Sequence, residues 1–110
     1  MVVRDISDEG LELIAARFKV LAEPMRLRIL YALRGGEKGV SELVAEIGAG
    51  QANVSKHLGL LYRHGMVTRR KEGLNVFYRI ADDVVLQLCE LMCSSLESEL
   101  DSQRAALARA

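Results

Sequence analysis

The sequence predicts a mainly α-helical fold with a small β-hairpin. Apolar residues recur at intervals of three and four positions over five separate stretches, which is the periodicity of amphipathic helices. A glycine-rich break, Gly48 to Gly50, joins the third and fourth stretches as a tight turn. Two short runs of strand-forming residues then flank Gly73 and Leu74. The predicted order is therefore α-α-α-α-β-β-α, a winged helix-turn-helix, in one domain that spans residues 1–110.

The first two helices are delimited by capping signals. Ser7 is a suitable N-cap for a first helix over about residues 8–22, and acidic residues fill its first turn. Pro24 suits the first position of a second helix, because its missing N–H has no partner there in any case. Gly35 and Gly36 end that helix.

Residues 40–67 form the predicted helix-turn-helix. Ser41 is expected to cap the third helix, and the fourth is expected from about Gln51 to His64, with Gly65 as its C-terminal stop. Side chains on the outer face of the fourth helix can donate and accept hydrogen bonds at base edges and phosphates. They are Gln51, Asn53, Ser55, Lys56 and His57. This pattern indicates DNA binding.

The hairpin is predicted over Val67–Glu72 and Asn75–Ile80. Arg69, Arg70 and Lys71 lie on its first arm, and Asn75 lies near its tip. A basic hairpin directly after a recognition helix can reach phosphates or the minor groove, so these four residues are predicted DNA contacts.

The last helix is predicted from about residue 83 to 105, and the stretch after Ser102 is expected to fray. The first and last helices are more apolar than one small domain can bury. They therefore predict a homodimer in which both helices pack across a two-fold axis. Such a dimer places two recognition helices about one DNA turn apart, which predicts a palindromic operator.

The distribution of charge supports DNA binding although the net charge is zero. Residues 51–80 carry six bases and one acid, a net charge of +5, whereas residues 81–110 carry a net charge of −4. No apolar run approaches the roughly 20 residues of a membrane span, and the N-terminus lacks the pattern of a signal peptide, so a cytoplasmic location is expected. Enzymatic motifs are lacking, and no cofactor is expected to be needed for folding.

Some basic residues leave two interpretations open. Arg26 and Arg28 are either solvated charges on the second helix or contacts to the DNA backbone. His57 fits a phosphate or base contact. His64, near a helix end, fits an interaction with the helix dipole.

With these elements placed, the chain resembles the ArsR/SmtB family of bacterial winged-helix repressors. The resemblance is carried by LAEPMRLRIL (21–30), SELVAEIGAGQANVSKHLGLLYRHGMV (41–67) and RRKEGLNVFYRI (69–80). It implies a homodimer that binds an operator and releases it when a metal ion, metalloid or reactive sulfur species binds. It also implies DNA contacts from the fourth helix and the wing.

The family's usual sensor sites are missing from this sequence. SELVAEI lacks the cysteine pair of the arsenic and cadmium site, and the last helix lacks the histidines of the zinc and nickel site. The second helix lacks the cysteine that sulfur-sensing members pair with one in the last helix.

Cys89 and Cys93 remain as the candidate sensor. Residues i and i+4 of a helix have Cβ atoms about 5–6 Å apart, whereas a disulfide needs about 3.5–4.5 Å. Two thiolates can instead hold one soft ion between them, which favours As(III), Sb(III) or Cd(II) as inducer. A third ligand is left open: a small thiol, a water or a cysteine of the partner subunit.

Other interpretations of these features stay open. The two cysteines can be small apolar residues in a helix interface. They can also be redox or reactive-sulfur sensors, for example through an intersubunit disulfide or a persulfide. A winged helix that binds protein instead of DNA is a further alternative, which the +5 segment disfavours.

Overall fold

The computed structural model describes residues 1–108, and within them the chain forms five helices and three strands. In chain order these are α1 (Asp8–Leu21), α2 (Pro24–Ala32), β1 (Lys38–Gly39), α3 (Val40–Ile47), α4 (Gln51–Arg63), β2 (Val67–Glu72), β3 (Asn75–Ile80) and α5 (Val84–Ala108). The predicted fold class is confirmed, with one strand added between α2 and α3.

Helix starts follow local hydrogen bonding. Ser7 caps α1 as predicted, since its hydroxyl accepts a hydrogen bond from the Gly10 N–H at 3.0 Å. The prediction for α3 was wrong: Ser41 lies inside the helix, and Gly39 is the N-cap. The Glu42 carboxylate accepts a hydrogen bond from the Gly39 N–H at 3.2 Å and so supplies the cap from within the first turn.

The sheet has the order β1-β3-β2 and is antiparallel throughout. The predicted hairpin is confirmed, and Gly73 at φ +62° makes the turn. β1 adds two residues to the far side of the hairpin, where Gly39 pairs with Phe77. This strand fixes the base of the wing to the start of α3.

The core lies between α2, α3, α4 and the inner side of the sheet. Val54, Leu58 and Leu61 form the buried stripe of α4 and are completely inaccessible to solvent. Each such side chain stabilises the fold by about 1.5–3 kcal/mol through burial. The recognition helix is therefore held along its whole length.

α5 lies largely outside this core. Val85 is its one buried residue among those described, and the helix continues to Ala108. The expected fraying after Ser102 is therefore wrong as far as Ala108, and residues 109–110 lie outside the described part. Within residues 1–108, no helix combines the length and the apolar character needed to cross a membrane.

Candidate functional site

The turn between α3 and α4 sets the angle at which α4 is presented. α3 ends at Gly48, which adopts the left-handed conformation (φ +75°) that a side chain would strain. Gly50 then acts as the N-cap of α4. Because α4 docks through its apolar stripe, the opposite face is left in solvent. The exposed polar side chains on α4 include Gln51, Asn53, Ser55 and Lys56.

A cleft of about 540 Å³ separates the recognition helix from the wing. Gln51 and Ser55 line it from α4, Asn75 from β3 and Ser41 from the start of α3. The fold thus brings together residues from three sequence-predicted segments. Their hydroxyl and amide groups supply donors and acceptors on one open surface.

His57 does not belong to this surface, and the predicted DNA contact is corrected. The residue is 8% exposed, and its Nδ1 lies 3.4 Å from Nη1 of Arg26. The helical period explains this placement, because His57 is three residues after Val54 and four before Leu61, on the buried stripe. This spacing was visible in the sequence. It places His57 on the buried side of α4 although the imidazole ring is polar.

Arg69 is held against aromatic rings. Its guanidinium carbon lies 4.0 Å from the centroid of the Tyr62 ring at the end of α4. Interaction with the side chain of Tyr78, and then with Tyr62, raises the pKa of Arg69 above its usual value. This stacking joins the wing to the recognition helix.

Arg70 points to the opposite face of β2 and is held by carboxylates. Its Nε and Nη2 donate to the Glu37 carboxylate at 2.8 and 2.7 Å, and its Nη1 donates to Glu72 at 2.8 Å. These bonds raise the pKa of Arg70, and the hydrogen bond from Arg70 lowers the pKa of Glu37. The guanidinium also lies 4.7 Å from the Phe77 ring centroid.

The two wing arginines therefore have structural partners that the sequence analysis missed. Successive residues of a strand point to opposite faces, so Arg69 and Arg70 cannot both face the same DNA surface. That alternation was readable in the sequence, whereas Glu37, 33 residues away from Arg70, was not. Lys71 and Asn75 are exposed and form no side-chain hydrogen bond or ion pair within residues 1–108.

The two cysteines are exposed free thiols on α5. The Cys93 thiol donates to the Glu97 carboxylate at 3.3 Å, and this bond raises the pKa of Cys93. Cys89 borders an apolar groove of about 240 Å³ lined by Phe18, Leu27 and Met92, among others. Among residues 1–108 no group of three or more His, Cys, Asp or Glu side chains could hold a metal ion.

A helix-turn-helix with an exposed polar recognition face and a braced basic hairpin defines a winged helix-turn-helix DNA-binding protein. The family model described as "Bacterial regulatory protein, arsR family" matches residues 23–69, which run from the cap of α2 into the wing. The chain is also 38% identical to the Biofilm growth-associated repressor of Agrobacterium fabrum over 79 residues, which cover 72% of this chain and 68% of that protein.

Solved structures agree with this assignment. The AntR antimony-specific transcriptional repressor is similar over 88% of this chain and 90% of its own, with 37% identity and a TM-score of 0.77. The homodimeric winged helix-turn-helix domain Mb0332 of Mycobacterium bovis is similar over 90% of this chain and 94% of its own, with 31% identity and a TM-score of 0.72. This chain belongs to the arsR family: it is a transcriptional repressor of the ArsR/SmtB type and not an enzyme.

Proposed function

We propose that this repressor binds a palindromic operator as a homodimer and releases it when As(III), or a similar soft ion such as Sb(III) or Cd(II), binds Cys89 and Cys93. The exposed thiol pair on α5 is the observation that carries the choice of inducer. We place this activity in the cytoplasm, where the thiols stay reduced.

In this proposal α4 enters the major groove and the wing lies on the flanking backbone. Gln51 and Asn53 are at the N-terminal end of α4, where base edges are read, and Ser55 and Lys56 contact phosphates. Lys71 and Asn75 extend these contacts along the wing. Arg69 contributes positive charge from a fixed position, whereas Glu37 and Glu72 balance the charge of Arg70. His57 is withdrawn from the set of contacts.

The homodimer is supported by apolar surface on both outer helices. On α1, Leu13 and Phe18 are 69% and 52% exposed, and on α5 Leu91 and Met92 are 69% and 62% exposed. A monomer with so much contiguous apolar surface would associate in water. The similar Mb0332 domain is homodimeric, which supports a dimer. We assign its interface to residues 8–22 and 83–105 because of their exposed apolar side chains.

The thiol pair suits a soft ion. Thiolate sulfurs prefer soft acceptors, and residues four apart on a helix can approach one ion from the same side. Because one chain supplies two sulfurs, the third ligand is a small thiol, a water or a cysteine of the partner subunit. The similarity to an antimony-specific repressor supports this class of inducer.

Release requires that the ion bind more tightly to the dimer state that releases the operator than to the state that binds it. Cys89 borders the groove formed by α1, α2 and α5, so an ion there changes how α5 packs against its neighbours. That packing fixes the distance between the two recognition helices. Ion binding therefore favours a spacing that no longer matches successive major grooves.

A thiol-redox or reactive-sulfur sensor with the same cysteines is the alternative. The hydrogen bond to Glu97 raises the pKa of Cys93, which lowers the population of the reactive thiolate. Both chemistries use the thiolate, so the raised pKa of Cys93 slows oxidation and weakens ion binding alike. The choice of a soft ion rests instead on the similarity to the antimony-specific repressor. A covalent dimer on non-reducing electrophoresis after oxidant treatment would support the alternative instead.

The test is release from DNA followed by fluorescence anisotropy. Wild type bound to its promoter fragment is titrated with As(III), Sb(III), Cd(II), Zn(II) and persulfide. The Cys89→Ser/Cys93→Ser variant should bind the fragment with wild-type affinity and should not be released by As(III). Ser94→Ala, which changes a neighbouring side chain and keeps both thiols, should be released normally. Release of the double variant by As(III) would place the sensor elsewhere.

A further inference from the structure

The side chains of Glu23 and Arg26, at the start of α2, meet the side chain of His57 on the buried side of α4. Arg26 of α2 donates from Nε to the carbonyl oxygen of Val20 in the last turn of α1. Its Nη1 lies 3.4 Å from Nδ1 of His57 on α4. Glu23 accepts a hydrogen bond from the Arg26 N–H at 3.0 Å, and its carboxylate lies 4.0 Å from the same His57 nitrogen.

The neighbouring Arg26 side chain determines which nitrogen of the His57 ring accepts a hydrogen bond. Arginine has five N–H donors and no acceptor, so a hydrogen bond between Arg26 and Nδ1 requires that nitrogen to accept. The proton of a neutral ring then resides on Nε2. The 3.4 Å contact with Arg26 therefore fits the tautomer that carries its hydrogen on Nε2.

This arrangement spans the molecule from the proposed dimer helix to the DNA-reading helix. Val20 is buried in the last turn of α1, and His57 lies between Val54 and Leu61 on the buried stripe of α4. Within residues 1–108, the Arg26 guanidinium hydrogen-bonds to both the Val20 carbonyl oxygen and His57 Nδ1. It offers two donors in a fixed geometry, which a lysine ammonium cannot reproduce at both positions.

We propose that Arg26 is a positioning residue for operator recognition: its guanidinium fixes α4 against the end of α1 through His57 and the Val20 carbonyl. Arg26 is half-buried, and in this proposal it makes no contact with DNA. This inference rests on the proposed role of α4 as the operator-reading helix. It assigns a function to one of the two arginines of α2 that were left open by the sequence, and it separates Arg26 from exposed Arg28.

Substitutions at Arg26 and Arg28 distinguish an effect of lost charge from an effect of lost hydrogen-bond geometry. Arg26→Gln and Arg28→Gln each remove one positive charge from the same helix. Arg26→Lys keeps the charge and loses the simultaneous hydrogen bonds to His57 and to the Val20 carbonyl oxygen. Changes in side chains that couple sites without touching the ligand alter affinity by roughly 2- to 30-fold. We expect that loss for Arg26→Gln and for Arg26→Lys, and wild-type affinity for Arg28→Gln.

The salt dependence of binding distinguishes positioning from a phosphate contact. Loss of one phosphate contact lowers the slope of log K against log salt by about 0.9. For Arg26→Lys we expect weaker operator binding with an unchanged slope. Rescue of affinity by lysine, or a slope lowered by about one unit in Arg26→Gln, would overturn the inference.

His57 provides the second variant pair and a spectroscopic test. Asn at position 57 keeps an acceptor close to the place of Nδ1, whereas Leu removes it. His57→Asn should bind the operator more tightly than His57→Leu, and adding Arg26→Gln to His57→Leu should cost no further affinity. Long-range nitrogen–proton NMR spectra of the wild type should show the proton on Nε2. An Nδ1–H ring, or additive losses in the double variant, would contradict the pairing.

The outcomes also separate this inference from the proposed function. If wild type binds no promoter fragment, both fail. If wild type binds and the Arg26 variants, folded by circular dichroism, bind equally well, the positioning role alone fails. If the Cys89→Ser/Cys93→Ser variant is still released by As(III), the inducer site fails and the role of Arg26 is unaffected.

Discussion

At the scale of single residues, neighbours decide what a polar side chain does. Arg69 and Arg70 are adjacent in sequence, but one stacks on Tyr62 and the other pairs with Glu37. Both were predicted to contact DNA from their place on a basic hairpin after the recognition helix, and that local pattern carries no information about a carboxylate 33 residues away. His57 differs, because its position on the stripe of Val54 and Leu61 was visible in the sequence.

The Arg70–Glu37 pair predicts an acid-sensitive wing. The hydrogen bond from Arg70 lowers the pKa of Glu37 below its ordinary value of 4.5. Because the folded-state pKa is depressed, the pair stabilises the wing above the unfolded pKa. This contribution is lost as the pH falls through the folded pKa. The loss is therefore expected below pH 4.5 and not near neutrality.

A carboxyl-carbon NMR titration of Glu37 checks this prediction. Wild type should give a midpoint below 4.5, and Arg70→Ala should move that midpoint upward towards 4.5. The amide signals of β2 should shift with the same midpoint in the wild type. A wild-type midpoint at or above 4.5, or no change in the Arg70 variant, would show that the pair does not form in solution.

At the scale of elements, hydrophobic periodicity was sufficient for the helices and the hairpin. All five helices and the two hairpin strands were predicted, because each carries apolar residues at the spacing typical of its secondary structure. β1 could not be predicted: two residues have no alternation, and their strand geometry comes from pairing with β3. The N-cap of α3 was placed two residues too late, at Ser41 instead of Gly39, because Glu42 supplies the cap from inside the helix.

The recognition helix should divide its contacts between base reading and phosphate binding. Gln51→Ala and Asn53→Ala should each reduce discrimination between operator and random DNA by about 1–3 kcal/mol. Lys56→Ala should weaken both complexes alike and lower the salt slope by about 0.9. Anisotropy titrations at several salt concentrations measure both quantities, with Gln87→Ala on α5 as the control. Equal losses on operator and random DNA for Gln51→Ala and Asn53→Ala would contradict base reading.

At the scale of the whole molecule, the structure leaves two apolar helix faces uncovered. Buried residues concentrate in α2 and α4, while α5 buries Val85 alone among its described residues. The sequence predicted this imbalance from the apolar content of the outer helices. It could not predict the relative placement of two copies, because that depends on how two surfaces fit.

The dimer interface can be tested by placing charge at its expected centre. Met92 is 62% exposed on the apolar face of α5. Met92→Glu would bury unpaired like charges across the two-fold axis, at a cost of about 3–5 kcal/mol, and should weaken dimerisation at least about 100-fold. Sedimentation velocity should then show monomers, with operator affinity lost in parallel. Gln87→Glu on the polar side of α5 should remain dimeric, and dimeric Met92→Glu would move the interface elsewhere.

The contacts that fix Arg69 and Arg70 on the wing have a consequence for the DNA. Immobilising a long side chain on binding costs about 0.5–1.5 kcal/mol, and for Arg69 and Arg70 this cost is already incurred during folding. In the proposed complex the hairpin would meet the operator with these two side chains already fixed, and the duplex would adapt to it. Base steps beneath the wing would be selected for their ease of bending instead of by hydrogen bonds to their edges.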